Sequence, residues 1–123
     1  MGLRASGVFI GMAVGLVLAC GASLAQTAAE NYPSKPIRFI LPFPPGGGTD
    51  ILGRIIAERL TANLGQPVVL ENRGGAGGNV GAEAAAKAAP DGYTIVLVAP
   101  SLAISPSLFK KLNYDLATDL TAI

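Results

Sequence analysis

The feature that most constrains the fold is the presence of three short, almost wholly apolar segments, at residues 37–41, 68–70 and 94–98. They are rich in β-branched residues and lie within two residues of a Pro or Gly, which is typical of strands buried on both faces. Helical segments follow them, with an alanine-rich helix expected at 80–89 and one or two helical turns at 106–112. The alternation predicts an α/β fold with a parallel sheet and helices on both faces.

The clearest helix is predicted at residues 51–64, where apolar side chains recur at helical spacing. Thr49 or Asp50 is expected to cap its start. Gly65 stands where helices commonly end in a left-handed residue. The predicted apolar stripe consists of Leu52, Ile55, Ile56, Leu60 and Leu64.

The loops that leave the carboxyl ends of the predicted strands form the candidate site. They are residues 42–50 (PFPPGGGTD), 72–79 (NRGGAGGN) and the stretch that begins at Ala99. The carboxyl ends of parallel strands share one edge, and ligands of open α/β sheets bind at that edge. We therefore expect the three loops to converge.

The first of these loops has the chemistry of an anion site. Its glycines at positions 46–48 leave backbone N–H groups accessible at the start of a helix, where the helix dipole also favours an anion. The prolines at 44–45 stiffen the loop, and Thr49 adds a hydroxyl. The carboxylate of Asp50 would cap the helix or accept a hydrogen bond from a ligand amino group or a water. The alternative is that the glycines only connect a strand to a helix.

Other functional classes lack their residues. The sixth position of a GxGxxG motif falls on Ile51 or Val80, and no glycine precedes a lysine as a P-loop requires. The sequence has no His, and its single Cys is Cys20. Without residues 1–25, eight basic residues face eight acidic ones, since only Arg4 is removed from nine. We therefore predict no catalytic residue, no metal site, no cofactor and no nucleic-acid partner.

Residues 1–25 have the layout of a secretory signal peptide. Arg4 precedes an uncharged apolar run at 7–18, and Ser23 and Ala25 stand three and one residues before a cut ahead of Gln26. A retained membrane anchor and lipidation at Cys20 are the alternatives, both less favoured. Residues 26–36 are expected to form a mobile lead-in, and residues 37–123 the folded part of the chain.

The loop motifs PFPPGGGTD, ENRGGAGGN and APDGYT occur here in the order and spacing of a known family. From about Tyr32 to the last residue, the sequence resembles the Bug family, the TctC-like extracytoplasmic solute receptors of tripartite tricarboxylate transporters. The one departure is Gly74, where the family commonly has proline. Members are much longer, so the resemblance implies that this chain is the N-terminal part of the first domain of a two-domain, hinged periplasmic-binding-protein fold.

The resemblance also implies a function. It predicts a periplasmic receptor that binds a small carboxylate without chemistry and passes it to the membrane subunits of the transporter. Gly46, Gly48 and Thr49 would contact the carboxylate, and Phe43 and Pro44 would form an apolar wall. The alternatives are an enzyme whose catalytic residues lie in a missing part, and a truncated product without function. The expected ligand-binding residues are Phe43, Pro44, Gly46, Gly47, Gly48, Thr49, Asp50, Ala99, Pro100 and Ser101.

Overall fold

Three parallel strands form the centre of the structure, a computed structural model that describes residues 31–123. Residues Pro33–Ile123 form one compact unit. The strands lie in the order β2-β1-β3, with β1 pairing with both neighbours. The elements are β1 Ile37–Leu41, α1 Gly48–Leu64, β2 Val68–Asn72, a 3₁₀ turn Ala76–Gly78, α2 Asn79–Ala86, β3 Thr94–Val96 and α3 Pro100–Leu108.

The strand order places helices on both faces of the sheet. The chain moves from β1 to one side for β2, then crosses back over β1 to reach β3. With right-handed crossovers, these opposite movements put α1 and α2 on opposite faces. In agreement, α1 packs on β1 and β2, whereas α2 packs on β1 and β3. The α/β fold predicted from the sequence is therefore confirmed.

The central strand β1 carries most of the core. Phe39 and Leu41 point to one face and pack with Ala57 of α1. Ile40 points to the opposite face and is fully buried. Arg38 shares the side of Ile40 and forms an ion pair with Glu71 of β2. β1 is thus buried on both faces, as its sequence predicts.

The buried face of α1 differs from the predicted apolar stripe. Ile56 packs against the core, but Leu52 and Ile55 are 50% and 54% exposed. The buried positions include Gly53, where a Cβ would lie 2.6 Å from Leu41 Cδ1. Small residues let the helix approach the sheet closely, so residue size rather than hydrophobicity selects the face. The prediction that one apolar stripe forms this contact is wrong for Leu52 and Ile55.

Several predicted boundaries also differ. β2 extends to Asn72 rather than ending at residue 70, and β3 ends at Val96 rather than at residue 98. α1 begins at Gly48 rather than at residue 51, so three residues predicted as loop are helical. α2 ends at Ala86. α3 begins at Pro100, six residues before the predicted turns, and contains Pro106 in its interior. Gly65 does end α1, with a φ of 69° and its N–H donating to the Thr61 carbonyl.

The described part of the lead-in contacts the loop before β3. The Ser34 N–H donates to the Tyr93 hydroxyl at 2.9 Å, and Lys35 pairs with Asp91 at 3.0 Å. The predicted signal peptide, its cleavage site and Cys20 lie outside the described residues. Within residues 31–123, no helix has both the length and the apolar character needed to span a membrane.

Candidate functional site

The loops after β1, β2 and β3 adjoin one another at the carboxyl edge of the sheet. A Cβ on Gly74, in the second loop, would lie 3.0 Å from Pro44 Cδ in the first. The Ser101 hydroxyl, after β3, donates to the Gly77 carbonyl of the second loop at 3.0 Å. The second loop therefore contacts both of the others, and the structure brings the predicted site residues to one edge.

The first turn of α1 incorporates part of the predicted loop. Gly47 occupies the N-cap position in an extended conformation, and as a glycine it has no side chain to cap the helix. The prediction that Thr49 or Asp50 caps α1 is therefore wrong. Both residues lie inside the first turn, where Asp50 also contributes a favourable negative charge.

Three backbone donors at this helix start have no partner in the described part of the chain. The first hydrogen bonds of α1 run from the N–H groups of Asp50 and Ile51 to the Gly47 carbonyl. Within residues 31–123, no atom accepts a hydrogen bond from the N–H of Gly47, Gly48 or Thr49. Such donors are the unsatisfied groups of a helix N-terminus, and they are available to an external acceptor.

The glycines at this turn border open space. A Cβ on Gly46, Gly47 or Gly48 would meet no atom of residues 31–123 within 4 Å. Only Gly46 has a positive φ, of 88°, so backbone conformation explains glycine there and not at Gly47 or Gly48. Within residues 31–123, neither packing nor φ requires glycine at the other two positions.

Asp50 organises the loop from within. Its side chain is 5% exposed. Oδ2 accepts hydrogen bonds from the Gly46 N–H at 3.1 Å and from Arg54 Nε at 3.0 Å. Oδ1 accepts one from Asn72 Nδ2 at 3.0 Å. Together, the bonds from Gly46, Asn72 and Arg54, in that order of effect, lower the pKa of Asp50 to about 2. Asp50 is thus an ionised carboxylate whose two oxygens are both engaged inside the protein.

The second loop is shaped by left-handed backbone. Gly75, Ala76, Gly77 and Gly78 all have positive φ, and Ala76 is the one residue among them that carries a Cβ. Asn79 Nδ2 donates to the Ala76 carbonyl at 2.7 Å and so holds this conformation. Asn79 Oδ1 in turn accepts a hydrogen bond from the Tyr114 hydroxyl at 2.6 Å.

Arg73 is not directed to an open site. It forms an ion pair with Glu71, which also pairs with Arg38. The bond from Arg38, reinforced by that from Arg73, lowers the pKa of Glu71 to about 2.

Asn72 contributes to the shape of the first loop through its hydrogen bond to Asp50, and sequence reasoning missed this role. Its signal was its position at the carboxyl end of β2, beside the first loop.

The third stretch joins the site through α3. Ala99 is the N-cap of this helix, and Pro100 is its first residue, where a missing N–H costs nothing. The Ser101 hydroxyl proton is already donated to Gly77, so this side chain can only accept a further hydrogen bond.

A separate open cleft of about 560 Å³ lies between α3 and residues 109–117. It contains none of the residues that the sequence predicted for the ligand, and its lining is mainly apolar. Among residues 31–123, no three His, Cys, Asp or Glu side chains are grouped closely enough to hold a metal ion.

Known proteins resemble this chain in both sequence and structure. Residues 52–123 match the family described as the tripartite tricarboxylate transporter family receptor, TctC. Protein BugT of Bordetella pertussis is 45% identical over 112 residues, which are 89% of this chain and 34% of that protein.

Two solved structures are also similar. The periplasmic binding protein BugD has a TM-score of 0.69 and 43% identity, covering 72% of this chain and 29% of that one. MatC from Rhodopseudomonas palustris, with bound malate, has a TM-score of 0.66 and 37% identity, covering 72% of this chain and 30% of that one. The chain thus spans about a third of the length of these relatives. By sequence and by fold, the chain belongs to the tripartite tricarboxylate transporter receptor family, TctC.

Proposed function

We propose that this chain is part of a periplasmic receptor that binds a small carboxylate and delivers it to the membrane subunits of a tripartite transporter. The observation that carries the proposal is the set of free N–H groups at Gly47, Gly48 and Thr49, bordered by open space. Residues Phe43 to Asp50 and Ala99 to Ser101 form the part of the binding site that this chain supplies.

The loop attracts an anion without any basic side chain of its own. Hydrogen bonds to a charged group contribute about 1.5–3 kcal/mol each, and a helix dipole adds about 0.3–1 kcal/mol. Asp50 would repel an anion, but its carboxylate is turned inward and paired with Arg54. The free N–H groups therefore face a ligand without a competing exposed carboxylate.

The relatives support the same ligand class. MatC carries malate in its structure, and BugD is a periplasmic binding protein. Export is supported by the signal-peptide layout of residues 1–25, with Arg4 before the apolar run. Reversible binding rather than catalysis is supported by the chemistry of the loops, where Ser101 donates to a carbonyl and no histidine is available as a base.

The test is ligand-induced stabilisation of the full-length gene product. A panel of mono-, di- and tricarboxylates, with malate included, is screened by thermal unfolding. A carboxylate at about 100 times its Kd should stabilise the wild type by about 2.7 kcal/mol. Gly48→Val places a side chain in the open space and should remove most of this stabilisation.

Two further variants make the screen specific. Thr49→Val should lose less of the ligand-induced stabilisation than Gly48→Val, because one neutral hydrogen bond contributes about 0.5–1.5 kcal/mol. Ala62→Val adds the same side chain at an exposed position of the same helix, far from the loop, and should keep the full stabilisation. If Gly48→Val also kept it, the loop would be only a connector and the proposed site would be wrong.

A further inference from the structure

One side chain from the neighbouring strand holds both ends of the β1–α1 loop. Asn72, the last residue of β2, donates through Nδ2 to the Phe43 carbonyl at 3.2 Å and to Asp50 Oδ1 at 3.0 Å. Phe43 precedes the prolines at 44–45 and the glycines at 46–48, and Asp50 follows them. The two hydrogen bonds therefore close the loop across its base.

A second link inside the loop depends on the first. The other oxygen of Asp50 accepts the Gly46 N–H at 3.1 Å. Asp50 is thus oriented by Asn72 on one oxygen and holds Gly46 on the other. Gly46 is the residue of this loop with a positive φ, so its conformation is fixed at the point where the chain turns toward the helix.

The amide of Asn72 has no donor left for a ligand. Its nitrogen carries two protons, and the two acceptors Phe43 and Asp50 use both. The side chain of Asn72 makes no bond that joins β1 to β2, because both of its hydrogen bonds go to the β1–α1 loop. The two strands are joined by main-chain pairing of residues 37–41 with residues 68–72, and the adjacent Arg73 N–H donates to the Leu41 carbonyl at 2.8 Å. Its side chain serves the loop instead.

We infer that Asn72 is a positioning residue that keeps the β1–α1 loop of the unliganded protein in the conformation with free N–H groups at Gly47, Gly48 and Thr49. The inference rests on the proposed carboxylate binding. Without Asn72 the loop samples other conformations, and the apparent Kd rises by the reciprocal of the fraction that remains competent. Loss of two hydrogen bonds is expected to raise the Kd about tenfold.

The experiment compares Asn72→Ala and Asn72→Asp with the wild type in the full-length gene product. Asn72→Ala removes the donors, and Asn72→Asp also places a carboxylate against Asp50, so it should have the larger effect. Asn63→Asp makes the same change of charge at an exposed position of α1 and serves as the matched control. Stopped-flow binding of malate should show a slower association rate in the Asn72 variants, with the dissociation rate nearly unchanged.

Amide hydrogen exchange gives a readout that needs no ligand. Exchange at Gly46 should be about tenfold faster in Asn72→Ala and unchanged in Asn63→Asp. In the wild type, the side-chain amide protons of Asn72 should exchange slowly, which tests the inference even if a variant does not fold.

The outcomes separate this inference from the proposed function. If the wild type binds neither malate nor any other carboxylate of the panel, the proposed function fails, and exchange at Gly46 still decides the role of Asn72. Unchanged Gly46 exchange in Asn72→Ala, or rapid exchange of the Asn72 side chain in the wild type, overturns the inference. A faster dissociation rate with an unchanged association rate overturns it as well, because Asn72 would then contact the ligand.

Discussion

The close approach of α2 to the first loop makes Gly81→Ala a sharp test of the packing at the site. A Cβ at Gly81 would lie 2.7 Å from Pro42 Cβ, 2.8 Å from Pro42 Cα and 2.9 Å from the Arg73 carbonyl oxygen. Nonpolar carbon atoms prefer a separation of about 3.5–4.0 Å. Because these atoms belong to a proline ring and to main chain, none of them can rotate away.

The expected magnitude follows from two opposing effects. Overpacking of this kind costs about 1–3 kcal/mol. Alanine gains about 1 kcal/mol over glycine in a helix interior. Since the obstruction is backbone, the cost should lie near the upper end, and Gly81→Ala should lower the free energy of unfolding by about 1–2 kcal/mol.

The matched variant is Gly48→Ala, where the added Cβ meets no atom within 4 Å. It should leave the free energy of unfolding unchanged or raise it by less than about 1 kcal/mol. Equilibrium urea unfolding of the full-length gene product measures both variants, provided that the slope against urea stays constant. If Gly81→Ala were as stable as Gly48→Ala, the contact of α2 with Pro42 would be wrong, and with it the arrangement of the first two loops.

Three further predictions concern the pKa of one carboxyl group, one hydrogen bond and the predicted cleavage site. The pKa of Asp50 lies at about 2 rather than at its ordinary 3.8, so its contribution to stability is present above about pH 4 and lost as the pH falls toward 2. Carboxyl ¹³C NMR should give a titration midpoint near 2, and a midpoint near 4 would contradict the hydrogen bonds to this carboxylate. Tyr114→Phe leaves Asn79 Oδ1 without its donor and should lower the free energy of unfolding by about 1–3 kcal/mol, measured in urea. An unchanged free energy would show that this hydrogen bond does not stabilise the fold. The intact mass of the exported protein should equal that of a chain that begins at Gln26, and a mass that includes residues 1–25 would refute the predicted cleavage.

The strands were predictable because local sequence determines them. Pro36 and Pro42 bracket an apolar β-branched segment, and β1 occupies the residues between them. The end of α1 was predictable for a similar reason, since Gly65 adopts the left-handed conformation that glycine allows most readily. These features depend on residues that are neighbours in the chain.

The start and the buried face of α1 depend on residues that are distant in sequence. Glycine has low helix propensity, so Gly48 does not indicate a helix start from sequence alone. Gly53 faces the sheet because Leu41 leaves room for no side chain there, which hydrophobic periodicity cannot reveal. The result is that the apolar residues Leu52 and Ile55 are about half exposed.

The candidate site shows the same division. The glycine loop was identified from its composition, its position after a strand and its family resemblance. The bonds that shape the loop were not, because Asn72 is separated from Asp50 by 22 residues and meets it only through the pairing of β1 with β2. Sequence therefore indicated which residues carry the donors, and the structure identified which residues orient them.

The most direct test of the account is an NMR titration of the ¹⁵N-labelled full-length gene product with malate, or with the carboxylate of the panel that binds best. The account predicts that the amide signals of Gly47, Gly48 and Thr49 shift most among those of residues 47–64, while the amide of Asn63, near the other end of the helix, stays in place. A carboxylate that binds and leaves those three amide signals unmoved would contradict the claim that this loop holds the ligand through its main chain.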